Sequence, residues 1–277
     1  MPSLPLLEVL RRTTGYLQAH ASTSPRLDSE LLLAHALGIR RLDLYLAFDR
    51  PLAEHELGPL RDLLRRRAEG EPVAYLLGHK EFMKLEFAVT PAVLVPNPDT
   101  ETLVHLAVAR VRGLGPAARA ADVGTGSGCI AVALAHYSPD LTVYASDDSP
   151  EALEVARANV ERHQLSGRVH LALGDLLEPV PGAVDLICAN LPYLESGDPL
   201  APEVTAQPAH ALFAPQGGSG LIQRLLDDAP NHLGPGGSVL AELDRRALEK
   251  LDLGAYSGHR VHPDLAGEPR VLEAWIS

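Results

Sequence analysis

The sequence predicts an α/β protein: a doubly wound, mostly parallel sheet with a small N-terminal helical domain and a β-hairpin linker. Three observations lead there. Leucines recur at helical spacing through residues 1–78. β-forming residues punctuated by prolines replace them over 79–97. From residue 98 onward, strand-length apolar runs alternate with helix-length segments, the pattern of a parallel sheet covered on both faces. The expected division is a helical domain over 1–78, a β linker over 79–97 and a sheet domain over 98–277.

In chain order, Leu4, Leu7, Leu10 and Leu17 mark a first helix. Ser24 and Pro25 form an N-cap and first-turn pair for a second, whose apolar run Leu31–Leu33 continues to Leu37 before Gly38 closes it. A third, Glu54–Arg67, sets Leu57, Leu60, Leu63 and Leu64 on one face. Arg65, Arg66 and Arg67 suit its C-terminus, and both a solvated end and a docking patch fit them. Phe82, Leu85, Phe87, Val89 and Val93–Val95 suggest two short strands, and Pro96 and Pro98 hold Val95 and Asn97 extended. Helices are expected at about Asp99–Arg112, Cys129–His136, Pro150–His163 and Leu221–Asp228. The strands between them are Arg119–Val123, Leu141–Ser146, Arg168–Leu173, Val184–Ala189 and Gly237–Leu243, with Arg260–His262 and Arg270–Ile276 as a closing pair.

Composition narrows the function classes. At 277 residues with 46% hydrophobic and 22% charged side chains, the chain can bury a sizeable core. No apolar run is long enough for a membrane span, and the N-terminus lacks the basic start of a secretory signal, so a cytoplasmic protein is expected. Cys129 and Cys188 are too few for a disulfide framework or a four-thiolate metal site and are expected as buried thiols. Residues 1–95 carry twelve basic and twelve acidic side chains, whereas 96–277 carry twelve and twenty-four, so the formal charge of −12 sits in the sheet domain. Such a surface repels phosphate backbones, and no nucleic-acid partner is expected. His259 and His262 are spaced like a metal pair, but no third ligand accompanies them, and no metal is expected.

Four features carry chemistry. Asp122-Val123-Gly124-Thr125-Gly126-Ser127-Gly128 ends a strand and opens a helix. Alternating glycines let backbone turn sharply and approach a ligand, and the helix N-terminus favours negative charge. Asp147, 21 residues after Gly126, ends the next strand, where an acid accepts hydrogen bonds from ribose hydroxyls. Asp148 and Ser149 beside it suit a helix N-cap. Gly174-Asp175 follows the third strand and is either a turn or a site for a base edge. Asn190-Leu191-Pro192-Tyr193 follows the fourth. The Asn190 side chain and the Leu191 carbonyl offer two acceptors for the N–H groups of a primary amide or amine, and Tyr193 can cover its flat face; a tight turn is the plainer reading.

Taken together, these residues resemble the class I S-adenosylmethionine-dependent methyltransferases, and within them the protein-(glutamine N5) methyltransferases of peptide chain release factors. The resemblance runs through Tyr75–Phe82 (YLLGHKEF), Val93–Glu101 (VLVPNPDTE), Asp122–Ala135, Asp147–Asn159, Asn190–Tyr193 and Asp264–Val271 (DLAGEPRV). It implies S-adenosylmethionine as cofactor and methylation of a glutamine amide in a glycine-rich loop of class I release factors. It implies that Asp122 and Gly124–Gly128 (including Thr125 and Ser127) serve the methionine end, that Asp147 holds the ribose, and that Asp175 and Leu176 sit beside the adenine. Asn190, Leu191, Pro192 and Tyr193 would hold the acceptor amide, with Asn190 also against the cofactor. Three positions depart from the family pattern: Leu191 stands for a proline, Asn97 for an arginine, and Asp244-Arg245-Arg246 for a Gly and a Gln after Glu242. Another amide or amine acceptor, such as a ribosomal-protein glutamine or a base amine, and a non-catalytic cofactor-binding paralogue are the alternatives.

Overall fold

The computed structural model describes residues 4–20, 22–115, 117–195, 197–214, 219–264 and 267–277. It divides into two compact units, Met1–Gly78 with Leu200–Ala206, and His79–Pro199 with Gln207–Ser277.

The first unit contains β1 (Leu4–Pro5), α1 (Leu6–Ala19), α2 (Pro25–Leu37), α3 (Arg41–Leu44), β2 (Pro51–Leu52), α4 (Glu54–Ala68) and α5 (Val73–Leu77). The leucine periodicity becomes its core: Leu6, Leu10, Leu17, Leu32, Leu33 and Leu44 are fully buried, with Leu60 and Leu64 of α4 against them. Pro25 opens α2 and Gly38 closes it at φ +63°. Ser24 makes no side-chain cap bond.

The basic end of α4 is neither uniformly solvated nor a free patch. Arg65 pairs with Asp62 and Glu69, and Arg66 with Glu71. Arg67 is 5% exposed; its Nε donates to Asp28 Oδ2 at 2.8 Å, and it also pairs with Glu203. A cation so buried is tolerated because two carboxylates answer it. This pairing also places 200–206 with the helical unit, whereas the sequence reading put them in the sheet domain.

The second unit opens with a hairpin, β3 (His79–Phe82) and β4 (Leu85–Ala88), turned at Met83 and Lys84, both at positive φ. There follow α6 (Thr100–Val111), β5 (Arg119–Val123), α7 (Cys129–Tyr137), β6 (Thr142–Asp147), α8 (Pro150–Arg162), β7 (Val169–Leu173) and β8 (Val184–Ala189). After α9 (Pro202–Thr205), which belongs to the first unit, come α10 (Ala209–Leu212), α11 (Gly220–His232), β9 (Leu233–Glu242), α12 (Arg245–Leu248), β10 (Gly258–Pro263) and β11 (Pro269–Trp275).

Seven of these strands form one sheet in the order β7-β6-β5-β8-β9-β11-β10, in which β5 to β9 pair in parallel and β11 runs antiparallel to both neighbours. This is the doubly wound, mostly parallel sheet expected. Strand alternation splits its side chains between two cores. Leu186 and Cys188 of β8 join Ile130, Leu134, Phe82 and Phe87 on one face, and Ile187 and Ala189 join Leu225, Leu226 and Val239 on the other. The hairpin is thus built into the second unit's core. Its Ala88 also exchanges two hydrogen bonds with the fully buried Asn159 of α8.

Some expected elements differ. Val93–Val95 forms no strand; Pro91 and Pro96 bound it, and Val93 is buried. The helix expected at Leu221–Asp228 runs on to His232 through Pro230. Proline frees the carbonyl four residues back, that of Leu226, and the Tyr256 hydroxyl donates to it at 2.9 Å. Strand β9 starts at Leu233, where Leu233 pairs with Val184 across a register shift. His259 and His262 lie three apart on β10 and so face opposite sides; His262 Nε2 meets Glu273 at 2.9 Å. Both cysteines are free and buried. Among the described residues no cluster could hold a metal ion, and no helix is long and apolar enough to cross a membrane.

Candidate active site

Strand order reverses between β5 and β8, and open α/β sheets bind ligands in the crevice at the carboxyl ends of such strands. A cleft lies there, lined by the turn after β5, the ends of β6 and β8, and the segment Leu94–Asn97. The turn is pinned from below. Gly124 N and Thr125 N both donate to Ser146 O at 2.9 Å, and Gly126 N donates to Asp147 Oδ2 at 2.8 Å. Gly126 sits at φ +54° with nothing within 4 Å of where a Cβ would be, because that direction is the open cleft. Gly124, at φ +69°, is different: a Cβ there would come within 2.8 Å of Leu191 Cδ2, so the turn after β5 and the loop after β8 close on each other.

The acids of this region have separate tasks. Asp147 ends β6; its Oδ2 accepts from Gly126 N and its Oδ1 from Ser149 N at 3.0 Å. Burial raises its pKa, and those two backbone donors pull it back. Each oxygen keeps lone pairs for further donors. Ser149 caps α8 through Ala152 N, as expected. Asp122 is fully buried and does not line the cleft; its Oδ2 accepts from Thr125 Oγ1 at 2.6 Å and Ala131 N at 3.0 Å, tying the turn to α7. Gly128, the N-cap of α7, also stands behind the wall. Asp175 and Leu176 line the cleft; Asp175 pairs with Arg224, and the Leu176 carbonyl accepts from Ser146 Oγ at 2.6 Å.

Burial without a cation drives the Asp122 carboxyl up to about 7. A carboxyl raised above its unfolded value favours the folded state most below the unfolded pKa, and that contribution is lost as pH rises through the folded one. Asp122→Asn should therefore gain stability relative to the native chain as pH rises from about 4 to about 7. Urea midpoints measured for both proteins across this range check it; parallel curves would show that Asp122 does not titrate there.

Asn190 directly follows β8, lines the cleft, and donates from Nδ2 to Thr100 Oγ1 at 3.0 Å, leaving Oδ1 for another group. Leu191 and Pro192 also line the cleft, whereas Tyr193 is turned towards the buried Glu242, its hydroxyl 3.3 Å from Oε1. Leu191 is 5% exposed, so this departure from the family pattern is a packing element against Gly124. Asn97 folds into a turn that accepts from Asp99 N and Thr100 N at the start of α6. Asp244 caps α12, and Arg246 donates two hydrogen bonds to Asp198, holding that carboxyl down at about 2.

The residues fit S-adenosylmethionine. The open space over Gly126 accepts a ligand against bare backbone, and the partly buried Asp147 retains acceptor capacity for a ribose diol. Sequence reasoning missed Ser146 and Thr100. A hydroxyl at the end of an otherwise apolar strand was the signal for Ser146; Thr100 stood within Val93–Glu101 with nothing local to mark it.

Comparison with known proteins finds matches to both parts of the chain. Residues 8–78 match the family described as PrmC N-terminal domain, and residues 99–248 match the methyltransferase small domain. The release factor glutamine methyltransferase of Rhodopirellula baltica is 40% identical, over 96% of this chain and 95% of its own. Those of Geobacter sulfurreducens and Moorella thermoacetica are 42% and 39% identical, covering 90% and 98% of this chain and 87% and 98% of theirs. Among solved structures, the catalytic domain of hMettl16 in complex with a 3′UTR hairpin aligns at a TM-score of 0.56 with 16% identity, over 80% of this chain and 81% of that one. A T. thermophilus 16S rRNA methyltransferase in complex with AdoMet and guanosine aligns at 0.51 with 18% identity, over 72% and 50%. At these identities the two structures speak to the fold alone, that of class I methyltransferases.

Proposed function

The chain belongs to the release factor glutamine methyltransferases, enzymes dependent on S-adenosylmethionine, and from that premise we propose that it methylates the side-chain nitrogen of a glutamine in the glycine-rich loop of a class I release factor, with Asn190 and the Leu191 carbonyl holding the acceptor amide. The observation that carries this reading is the placement of Asn190: at the mouth of the cleft, beside the glycine turn, with Nδ2 already engaged and Oδ1 available.

When bound, S-adenosylmethionine supplies an electrophilic methyl on a sulfonium centre. Asp147 and the backbone at Gly126 would hold that cofactor. An amide nitrogen is a weak nucleophile because its lone pair is delocalised into the carbonyl. Asn190 Oδ1 and Leu191 O accept its two N–H bonds, fix its plane and leave its remaining face towards the cleft. The acceptor nitrogen would gain the methyl as the sulfur–methyl bond breaks and leaves a neutral thioether, and it would release one N–H proton to solvent to regain neutral amide character. Positioning is the main source of rate, and a pair of aimed acceptors supplies it.

The helical unit, 1–78, selects the protein substrate in this reading. The chain cut before His79 checks this better than a cut near Pro91, which would remove the buried Phe82 and Phe87 from the sheet unit's core. Such a fragment is expected to bind S-adenosylmethionine yet show a lower kcat/KM on an intact release factor. Calorimetry precedes kinetics, because Glu203 loses its Arg67 partner in the fragment. Equal kcat/KM for fragment and full chain would remove the helices from substrate selection.

The acceptor itself is tested by offering the full chain a release factor, ribosomal proteins and ribosomal RNA side by side with labelled cofactor. Label on the release factor alone is expected. Preferential labelling of RNA or of a ribosomal protein would replace this substrate by one of the alternatives.

A further inference from the structure

We propose that Gln207 is a positioning residue: it fixes the cleft wall beside the acceptor loop, and that wall admits a glutamine whose neighbour is glycine. The inference rests on the reading that the chain methylates a glutamine in a glycine-rich loop.

Two segments far apart in sequence supply this wall. Leu94, Val95, Pro96 and Asn97 line the cleft from one, and His210 and Ala211 from the other. Neither is a strand of the sheet. Pro96 and Pro98 have no N–H with which to pin the first segment. The second is carried by α10, a helix of four residues, and so short a helix does not hold its shape by itself. Gln207 ties the two together. Val95 N donates to Gln207 Oε1 at 2.9 Å. A backbone N–H can only donate, so the Gln207 amide must present its oxygen there.

The place of Gln207 in the chain gives this bond its weight. Leu200–Ala206 belongs to the helical unit, and Gln207 is the residue at which the chain returns to the sheet unit. Pro208 follows, and a proline biases the residue before it towards extended backbone. Gln207 thus anchors the start of α10, and Leu194 anchors its end. Leu194 N donates to Leu212 O at 3.1 Å, and Ala214 N donates to Leu194 O at 3.2 Å.

Leu194 also directs the wall to the acceptor rather than the cofactor. It directly follows Tyr193 in the loop that begins at Asn190, and Asn190 is bonded to Thr100 at 3.0 Å. The loop after β8, the segment from Val95 to Thr100, and α10 therefore form a closed circuit, in which the Gln207–Val95 bond is one link. The glycine turn and Asp147 stand outside it, held by Ser146 O and by each other. Leu94, Val95, Pro96 and Ala211 are apolar, so the wall recognises by shape. A glycine beside the glutamine can lie close against it, whereas alanine brings a Cβ into the same space.

The test sets the full-length native chain beside Gln207→Met and Gln207→Glu. Each is offered a release factor, and the same factor with alanine in place of the glycine beside the acceptor glutamine. The readouts are kcat, KM and the Kd for S-adenosylmethionine. The native chain is expected to prefer the glycine form about tenfold or more in kcat/KM, the scale of one misplaced carbon in a shaped site. Gln207→Met keeps the length but offers Val95 N no oxygen. It is expected to raise KM about tenfold, the scale of one backbone donor left unpaired, and to shrink the glycine preference to about threefold or less, with the cofactor Kd unchanged. Gln207→Glu keeps an acceptor oxygen and retains the native KM and preference. If Gln207→Met fails to fold, Gln207→Ala takes its place in the same comparison. Native KM and preference in the Met variant overturn the inference, as does a raised KM that leaves the preference intact or that Gln207→Glu shares. A cofactor Kd that rises with KM marks a general loosening of the cleft and overturns it too, as does equal use of both factors by the native chain. A native chain that methylates no release factor defeats the underlying reading instead.

Discussion

Asn190→Ala is expected to lose about 10²–10³-fold in methyl transfer, the scale of removing one aimed polar group from a preorganised site. The side chain is shorter, so Oδ1 vanishes and one acceptor N–H has no partner in the cleft. Rotation of the amide then carries its nitrogen away from the transferred methyl. S-adenosylmethionine affinity should change much less, since Asp147 and the Gly124–Gly126 backbone remain. The loss should appear in kcat. Single-turnover assays with saturating cofactor measure it, and a variant that turns over like the native chain would reduce Asn190 to a turn residue.

Asp147→Ala should weaken S-adenosylmethionine by about ten- to a hundredfold, the equivalent of about 1.5–3 kcal/mol for a charged hydrogen-bond acceptor. The effect has two parts. A ribose diol loses its acceptor, and Gly126 N and Ser149 N lose the carboxylate that holds the turn and the entry to α8. Gly126→Val should reach a similar loss by another route. Its side chain would project into open cleft, and a β-branched residue at φ +54° is strained. Calorimetry on both variants checks this, and native affinity in both would place the cofactor elsewhere.

The main outline of the site was legible because its signals are local. The spacing of Gly124, Gly126 and Asp147 follows from one strand-turn-helix-strand unit, and the structure joins the last two by a hydrogen bond from Gly126 N to Asp147 Oδ2. Asn190 was visible as an amide at the end of an apolar strand. The contact made by Thr100 was not, because its partner, Asn190, lies 90 residues away. Long-range pairing misled at Arg67 too: three consecutive arginines look like a solvated helix end until Asp28, 39 residues earlier, meets the third. The helix expected to end at Asp228 runs on through Pro230, and the compensating hydroxyl of Tyr256 lies 30 residues from the carbonyl it serves. The family resemblance assigned Asp122 to the cofactor; its place on β5 turns it to Thr125 and α7.

The fold class was legible for a different reason. Strand and helix lengths alternate regularly after residue 98, and the central strands β5, β8 and β9 carry apolar residues on both faces, as burial on both sides requires. The hairpin at 79–88 gave a strand signal but no sign of its destination. Its Phe82 and Phe87 are buried with Ile130 and Leu134, a packing choice that only tertiary structure reveals.

The central claim is that this cleft methylates a glutamine amide and no other group. The most direct measurement incubates the enzyme and S-adenosylmethionine with a class I release factor and, separately, with the same factor carrying Glu in place of the loop glutamine, followed by mass spectrometric localisation of the methyl. One methyl on the glutamine side-chain nitrogen of the first protein and none on the second is the predicted result. A methyl on the glutamate variant, or on any residue other than that glutamine, would contradict it.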